Sequence, residues 1–565
     1  MDGYSELKKK LDQRRDALRL VEQRMEPHWK DLRDYIQPFR GRFSGEKPDQ
    51  CIPDMAKIID GTALRARHIL SAGMQSGLTS PSRQWFKISV HDPEAAADQH
   101  VKEWCDEVQT RMMVVMAGSS FYHALHAVYD EIATFGIGAL MIQPDYDAVI
   151  SCKTMTVGTY YLGRAEHDFI DTIYRDMWMS AGAVVAEFGA DNCSTGVIQA
   201  AKDRPDTLFE VRHAIEPDDS NPRFLYRSVY WEPGAPSDQI LRIGGYKTFP
   251  IMTPRWHAVD SDIYGYGPGS EALPDIKMLQ VMARDRAEGI KKQVAPPVVA
   301  DAALRGSAVR TNPNGITYVP SGHVEPMVQP LYNVPINLAD LQAAIAATQD
   351  SINSIMYVDL FLMLQQGDQS QMTAREVIER HDEKMLALGP VLERLEWELL
   401  TPAIDRIFNI MCAADLIPEA PEAIQGQELK IEYTSILAQA QQMMGLKSIE
   451  QTLSFAGNLA GINPEIVDGL DLDEALREYS RMVGSPAKIL RTRDEVEALR
   501  QQRQEQQQAA QQAQEEQQAM QTAGQGAAAL NQSAQAAQVL SQVDNGPNGA
   551  IEALLGNDQG VGINS

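Results

Sequence analysis

The stretch GSEALPDIKMLQVMARDRAEGIKKQ, residues 269–293, decides the fold. Apolar residues recur along it at helical spacing, and about 25 residues rising about 1.5 Å each predict a helix of about 37 Å. Pro296 and Pro297 end this helix, a Pro- and Gly-punctuated insertion follows over 294–337, and a second helix is predicted over 338–356. The pattern indicates two long helical struts that carry a small module between them.

The residues before the first strut predict a helical region followed by a mixed one. Amphipathic spacing predicts one long helix over 4–37 and another over 55–77, and two more follow. Short β-rich runs such as FLYRSVYW, separated by turn residues, predict sheet over 135–260 with one helix between Trp178 and Gly189. The predicted fold class is therefore α+β and mainly helical.

The residues after the second strut predict a loop, a long helix and a polar tail. Residues 357–373 have the composition of a loop, and 374–412 predict a helix that its two prolines should kink, because proline removes a backbone donor. The strand LKIEY and short helices occupy 426–490. The Gln/Ala tract at 491–543 favours helix but cannot build a core alone, and residues 544–565 have a disordered composition.

Charge and cysteine content exclude several classes of protein. A formal net charge of -26 argues against a protein that grips nucleic acid over a broad basic surface, so any DNA it meets should be held weakly. No apolar run approaches a membrane span, which predicts a soluble cytosolic chain without a membrane partner. The five cysteines are far apart and form no CxxC pair, so neither disulfides nor a thiolate metal site is predicted.

Motifs for catalysis are missing, and we predict neither an enzyme nor a cofactor or metal. The sequence has no GxxxxGKS or GxxxxGKT phosphate loop and no HExxH. His123 and His126 have the spacing of a helix face rather than of a ligand pair. GYGPGS at 265–270 lacks the third glycine of a dinucleotide fingerprint and indicates a turn and a helix start. Trp85 and Phe86 have no basic cluster around them, which favours core aromatics over a DNA-stacking platform.

Four stretches resemble the podovirus bacteriophage head-to-tail connecting (portal) protein family. The likeness keeps its order along the chain and covers most of residues 1–420. The stretches are ILSAGMQSGLTSPSRQWFKISV at 69–90, FGIGALMI at 135–142, YGYGPGSEALPDIKMLQ at 264–280 and QMTAREVIERHDEKMLALGPVLERLEWELL at 371–400.

The resemblance implies a portal fold whose subunits form a twelve-membered ring around a DNA channel at one capsid vertex, for DNA packaging, DNA ejection and tail attachment. It implies terminase, tail adaptors, major capsid protein and scaffolding protein as partners, and a virion component assembled in the host cytoplasm. The regions it implies are a wing at 1–265 and 374–425, stem helices at 266–293 and 338–356, a clip at 294–337, a tunnel loop at 357–373, a crown at 426–490, a helical barrel at 491–543 and a disordered tail at 544–565.

An acidic stretch and a basic cluster are the candidate sites. Between Leu338 and Ala374 there is no Lys, Arg or Glu, and in the family this region is the inner stem helix and the tunnel loop. Its aspartates are predicted to line the channel and repel the duplex. They are Asp340, Asp350, Asp359 and Asp368.

The basic cluster lies at the end of the first strut and offers possible contacts to DNA phosphates. Asp285 and Glu288 could equally well pair with basic neighbours at helical spacing, so both interpretations stay open. The cluster consists of Arg284, Arg286, Lys291 and Lys292.

Two other functions compete with the portal interpretation. An internal virion or scaffolding protein with long helices would suit the Gln/Ala tract, and it predicts elongated oligomers without a closed ring. A nucleotide-driven motor has no support in the sequence, because nothing replaces a phosphate loop.

Overall fold

A computed structural model provides the fold. The residues it describes are 2–43, 46, 55–92, 95–96, 98–164, 169–236, 239–295, 298–300, 328–330, 338–366, 388–426, 429–434, 452, 454–456, 471, 473, 475–476, 495–496, 498–506, 508 and 534. The chain divides into one compact unit over Met1–Leu470 and a second over Asp471–Ser565. Every helix and strand named below lies in the first unit.

The first helical segment consists of two helices rather than one. Helix α1 spans Asp2–Gln23 and helix α2 spans Glu26–Ile36, with a turn between them. Pro27 occupies the first turn of α2, where its missing amide hydrogen is tolerated, whereas inside a continuous helix it would leave a carbonyl unpaired. The prediction of a single helix over 4–37 is therefore wrong at this proline.

The next three helices are present as predicted, although the first begins at Thr62 rather than at the predicted residue 55. Helix α3 spans Thr62–Leu78, α4 spans Gln99–Gly118 and α5 spans Phe121–Phe135. Strand β1, Phe86–Val90, runs between α3 and α4. Trp85 and Phe86 are 1% and 0% exposed. The prediction that these aromatics belong to the core is confirmed.

Residues 135–260 form two antiparallel sheets, which confirms the predicted mixed region. A five-stranded sheet has the order β4-β5-β6-β7-β8, and a three-stranded sheet has the order β3-β2-β9. The strands are β2 Ala139–Asp145, β3 Val149–Met155, β4 Tyr160–Arg164, β5 Ile170–Ser180, β6 Leu208–Pro217, β7 Tyr226–Trp231, β8 Arg242–Tyr246 and β9 Ile251–Met252. The predicted helix is α6, Ala181–Phe188; a further one, α7 at Thr195–Asp203, was not predicted.

The five-stranded sheet has different neighbours on its two faces. Side chains alternate between faces along a strand. On one face, Leu11 of α1 packs in a cluster with Tyr174 of β5 and Trp231 of β7. On the other face, Ile173 and Ile215 join the main core. Helix α1 therefore covers one side of the sheet, and the rest of the unit lies on the other side.

The two struts are present as predicted. Helix α8 spans Pro268–Val294, and helix α9 spans Leu338–Ile355. Of the insertion between them, the structure describes two short antiparallel strands, β10 at Val298–Ala300 and β11 at Val328–Pro330.

The segment predicted as a loop after α9 contains a helix. Helix α10 spans Val358–Gln366, so the loop prediction for 357–373 is wrong over these residues. Leu360 and Phe361 are buried in the main core, and this packing stabilises a helix too short to show clear periodicity. Residues 367–387 lie outside the described part.

The long helix near the end of the unit is irregular. Residues 388–395 are α-helical, Glu396–Leu400 form a π-helical segment, and α11 spans Thr401–Ala413. Pro402 lies two residues after the π segment, in the first turn of α11, and its missing amide hydrogen removes one helical hydrogen bond. Strand β12, Leu429–Tyr433, confirms the predicted LKIEY strand and pairs with β1.

Candidate channel-lining surface

Helix α8 begins where glycines allow it to approach α5 closely. Gly136 ends α5 with a φ of 78°, and a Cβ there would overlap with the backbone of Tyr266. A Cβ on Gly267 would lie 2.7 Å from the carbonyl oxygen of Ile132. The glycines of GYGPGS therefore serve helix packing, which confirms the prediction of a turn and a helix start.

A buried polar hub fixes the middle of α8. Gln280 is 3% exposed, and its Oε1 accepts hydrogen bonds from the backbone amides of Ile59 at 2.7 Å and Asp60 at 2.8 Å. The Asp60 carboxylate accepts from Gln349 of α9 and from Thr62 of α3. Burial acts to raise the pKa of Asp60, but these hydrogen bonds hold it below its ordinary value. Three helices thus meet at Asp60, α8 through the backbone groups of Asp60 and α3 and α9 through its carboxylate.

Helices α8 and α9 run antiparallel. Ser351 donates to Asp275 at 2.7 Å near one end of the pair, and Arg286 Nη1 donates to Gln342 Oε1 at 3.3 Å near the other. Between these two contacts the residue number increases along α8 and decreases along α9, so the two helices are antiparallel. This register places Asp340 close to the basic end of α8.

Helix α9 has a buried side and an exposed side. Ile345 and Ile352 are 2% and 0% exposed and belong to the main core. The residues on the opposite side recur every three or four positions and are all exposed, and we call this side the α9 outer face. It consists of Asp340, Ala343, Ala347, Asp350 and Ser354. The face is acidic and otherwise made of small side chains.

The structure brings together two of the four predicted channel-lining aspartates. Asp340 and Asp350 share the α9 outer face. Asp359 lies half-buried in the first turn of α10, where a carboxylate is favoured by the helix dipole. It is therefore not on an exposed loop, contrary to the prediction. Asp368 lies outside the described residues.

The basic cluster at the end of α8 is largely exposed. Arg284, Lys291 and Lys292 are exposed, whereas Arg286 is half-buried and donates to Gln342. Lys291 and Lys292 occupy the last turn of α8, where the helix dipole stabilises positive charge.

The competing interpretation of this cluster was pairing with acidic neighbours on the same helix. For the described residues of α8, no ion pair within 4 Å joins Asp285 or Glu288 to Arg284 or Lys292. Arg284, Lys291 and Lys292 are thus exposed towards the end of the strut, whereas Arg286 contacts α9.

The polar hub was not predicted from the sequence. Asp60 precedes α3 in the chain by two residues, and Gln280 and Gln349 lie about 220 and 289 positions from it. A glutamine inside the apolar stripe of α8 is the one signal that could have pointed to it, because a buried amide needs a partner.

Comparison with known proteins identifies the family. Residues 8–490 match the family described as "Bacteriophage head to tail connecting protein". The chain belongs to this family. The head-to-tail connecting family thus accounts for the four resembling stretches and for nearly all of the described residues.

Two relatives that are similar in sequence to this chain are named as portal proteins. The "Portal protein" of Salmonella phage epsilon15 is 40% identical over 488 residues, which cover 85% of this chain and 88% of that protein. The "Probable portal protein" of Bordetella phage BPP-1 is 37% identical over 487 residues, covering 84% and 87%. The family and these relatives support the same function, that of a phage portal or head-to-tail connector, and set aside the scaffolding alternative.

A solved structure shows a weaker likeness. A chain in the virion of native gene transfer agent (GTA) particle is 10% identical, with a TM-score of 0.34, and the alignment covers 73% of this chain and 90% of that chain. The likeness is too low to argue from. The mainly helical α+β fold predicted from the sequence is confirmed by the elements described above and by the family.

The comparisons identify a connector family and no enzyme family. Within the residues that the structure describes, no cluster of His, Cys, Asp or Glu could hold a metal ion. None of the described helices is both long and apolar enough to cross a membrane.

Proposed function

We propose that this connector subunit assembles into a closed ring of twelve around a channel through which double-stranded DNA enters and leaves the capsid. The α9 outer face lines the narrow part of that channel. The supporting observation is an exposed helix face that carries Asp340 and Asp350 and no basic residue. A ring of like charges repels phosphates from every side, so the duplex slides without binding.

The regions implied by the resemblance extend this proposal. The wing, stem, clip and crown assignments keep their predicted bounds, with α8 and α9 as the stem. Terminase, the tail adaptors, major capsid protein and scaffolding protein are the proposed partners, and assembly takes place in the host cytoplasm before the ring occupies the portal vertex of the virion. The subunit acts as a structural part without catalysis or a cofactor.

The basic end of α8 has a different proposed role. Arg284, Lys291 and Lys292 contact phosphates weakly as the duplex passes, while Arg286 mainly holds α8 against α9. Asp340 lies near the same level and limits the strength of these contacts. The channel therefore changes from mixed charge at this level to acidic at Asp350.

The channel proposal is tested by reversing charge on the α9 outer face. With Asp340→Lys and Asp350→Lys together, about 24 carboxylates in a ring of twelve become ammonium groups, which attract phosphates at short range despite screening. We expect slower packaging and shorter packaged DNA per particle at equal ring yield. Packaging rate and DNA length are measured against the parent.

The matched control carries the same charge change elsewhere. Asp147 and Asp219 are exposed in turns of the wing region, and Asp147→Lys with Asp219→Lys should package normally. Normal packaging by the α9 variant would show that Asp340 and Asp350 do not face the DNA. Equal impairment in both variants would show a general charge effect and would also contradict the proposal.

A further inference from the structure

A groove of about 930 Å³ opens between the five-stranded sheet and the irregular helix at 388–413. Five aromatic residues line it, among them Trp397 and Tyr433, and we call it the Trp397 groove. Phe169 and Trp397 are 44% and 61% exposed, and their ring centroids lie 5.5 Å apart. Tyr226 and Phe249 form a second pair at 5.2 Å. Exposed aromatic clusters of this kind mark interaction surfaces.

The π-helical segment holds Trp397 in this exposed position. Its neighbour Glu398 is turned inward, where Oε1 accepts from Arg255 Nη2 at 2.6 Å and the two side chains are 12% and 5% exposed. Short π-helical segments inside α-helices occur frequently at functional sites, and this one buries an ion pair on one side and exposes a tryptophan on the other. If Trp397 only stabilised the core of the chain, its side chain would be buried rather than 61% exposed.

The rim of the groove is acidic. Arg255 and Arg394 lie within 4 Å of Glu398, and these three groups form one ion-pair network. The remaining charged groups that line the groove are Asp171, Glu393 and Glu396. A partner that fits must therefore combine an apolar side chain with positive charge.

The outward side of α1 has that chemistry. Leu20 is 63% exposed and Val21 is 38% exposed; the exposed cation Arg24 lies one turn after Leu20, and the exposed cation Lys9 lies about three turns before it. We call these four residues the α1 patch. The exposed Asp16 lies one turn before Leu20 but pairs with Arg15 at 2.8 Å, so Lys9 and Arg24 give the patch the positive charge that an acidic groove attracts.

The two surfaces lie on opposite sides of one sheet. Helix α1 packs on the face of Tyr174 and Trp231. Of the residues that line the groove, Tyr226 packs with the main core on the opposite face, and Asp171 lies at the bulge of β5 in the same groove lining. A chain with two complementary surfaces on opposite sides forms head-to-tail contacts, and such contacts close into rings when the rotation fits.

We propose that the Trp397 groove of one copy of this chain receives the α1 patch of the neighbouring copy. Leu20 and Val21 pack against the aromatic rings, and Lys9 and Arg24 face the acidic rim. The inference rests on the proposed ring, and it assigns one of the contacts that hold neighbours together.

Removal of the aromatic anchor is the first test. Trp397→Ala should raise the concentration needed for half-maximal ring assembly by about tenfold, measured by native mass spectrometry across a dilution series. Tyr146→Ala, which removes an exposed aromatic at the β2–β3 turn, is the control and should assemble like the parent.

A charge exchange separates a contact from a folding defect. Asp171→Lys with Glu393→Lys should weaken assembly, and so should Lys9→Glu with Arg24→Glu. All four changes in one chain restore opposite charges across the contact, so assembly should return to within about threefold of the parent. A fold damaged by the single-patch variants would not recover.

The outcomes are distinguishable from those of the proposed function. If the parent chain forms no closed ring, the ring proposal fails and this inference fails with it. If the parent forms rings and Trp397→Ala does so equally well, or the four-fold variant stays as weak as its components, only the groove assignment is overturned. A ring in which the groove stays empty would equally overturn it.

Discussion

Glu22 on α1 is buried, and its Oε1 has no hydrogen-bond partner among the described residues. Burial, assisted by the negative charge of Glu26, raises the pKa of Glu22 to about 7. The folded chain thus prefers the neutral carboxyl, whereas the unfolded chain ionises it from about pH 4.5. The neutral Glu22 therefore costs the folded chain nothing below pH 4.5. Above that pH the free energy of unfolding falls, and the fall is complete once the pH has risen through 7.

Replacement by glutamine should remove this loss. We expect the free energy of unfolding of Glu22→Gln, relative to the parent, to increase between pH 5 and pH 8 by up to about 3 kcal/mol. Urea unfolding at several pH values measures it, with the exposed Glu419→Gln as control. Parallel pH profiles for Glu22→Gln and the parent would mean that Glu22 is ionised in the fold.

Single residues differ in how far the sequence reveals their role. The exposure of Asp340 and Asp350 follows from their place opposite the apolar stripe of α9, which is a local pattern. The role of Asp60 could not be predicted, because its partners Gln280 and Gln349 come from distant parts of the chain. Spacing along one helix shows which face a residue shares, whereas a polar contact between helices depends on their packing.

At the scale of elements, α10 depends on a close contact with α3. Gly73 of α3 lies against the ring of Phe361. A Cβ added at Gly73 would overlap with that ring and with the Cβ of Phe361. Gly73→Ala should lower the free energy of unfolding by about 1–3 kcal/mol, which outweighs the gain in helix propensity of up to about 1 kcal/mol. The midpoint of urea unfolding measures the change.

Two controls make this prediction specific: the same substitution at another helical glycine, and Gly73→Ala in a chain that already carries Phe361→Ala. A Cβ at Gly118 meets no atom within 4 Å, so Gly118→Ala should be neutral or slightly stabilising. In a Phe361→Ala background the overlap with the ring is gone and only the 2.8 Å contact with the Cβ of residue 361 remains, so Gly73→Ala should destabilise clearly less than in the parent. An equal loss in both backgrounds would show that α10 does not pack against Gly73.

Long elements were predictable and short or interrupted ones were not. The struts α8 and α9 carry several turns of apolar spacing, so their existence follows from the sequence. Helix α10 has nine residues and lies beside Gly367, and packing rather than propensity makes it helical. The break between α1 and α2 was missed because the apolar spacing continues across Pro27.

At the scale of the whole molecule, the fold leaves two surfaces that a single copy cannot use. The α9 outer face is exposed along its length, and the Trp397 groove keeps two aromatic rings in contact with water. A ring accounts for both, because it turns one face toward a common axis and buries the other between neighbours. In the proposed ring the acidic face would centre the duplex, and the high net negative charge would oppose tight binding elsewhere.

The most direct test of this account is a cryo-electron microscopy reconstruction of the purified chain without imposed symmetry. We expect a closed ring of twelve subunits, with Asp340 and Asp350 pointing toward the central axis and Arg284, Lys291 and Lys292 toward one end of the channel. A ring in which the α9 outer face is buried between subunits or turned away from the axis would contradict the account, and so would an open or irregular assembly.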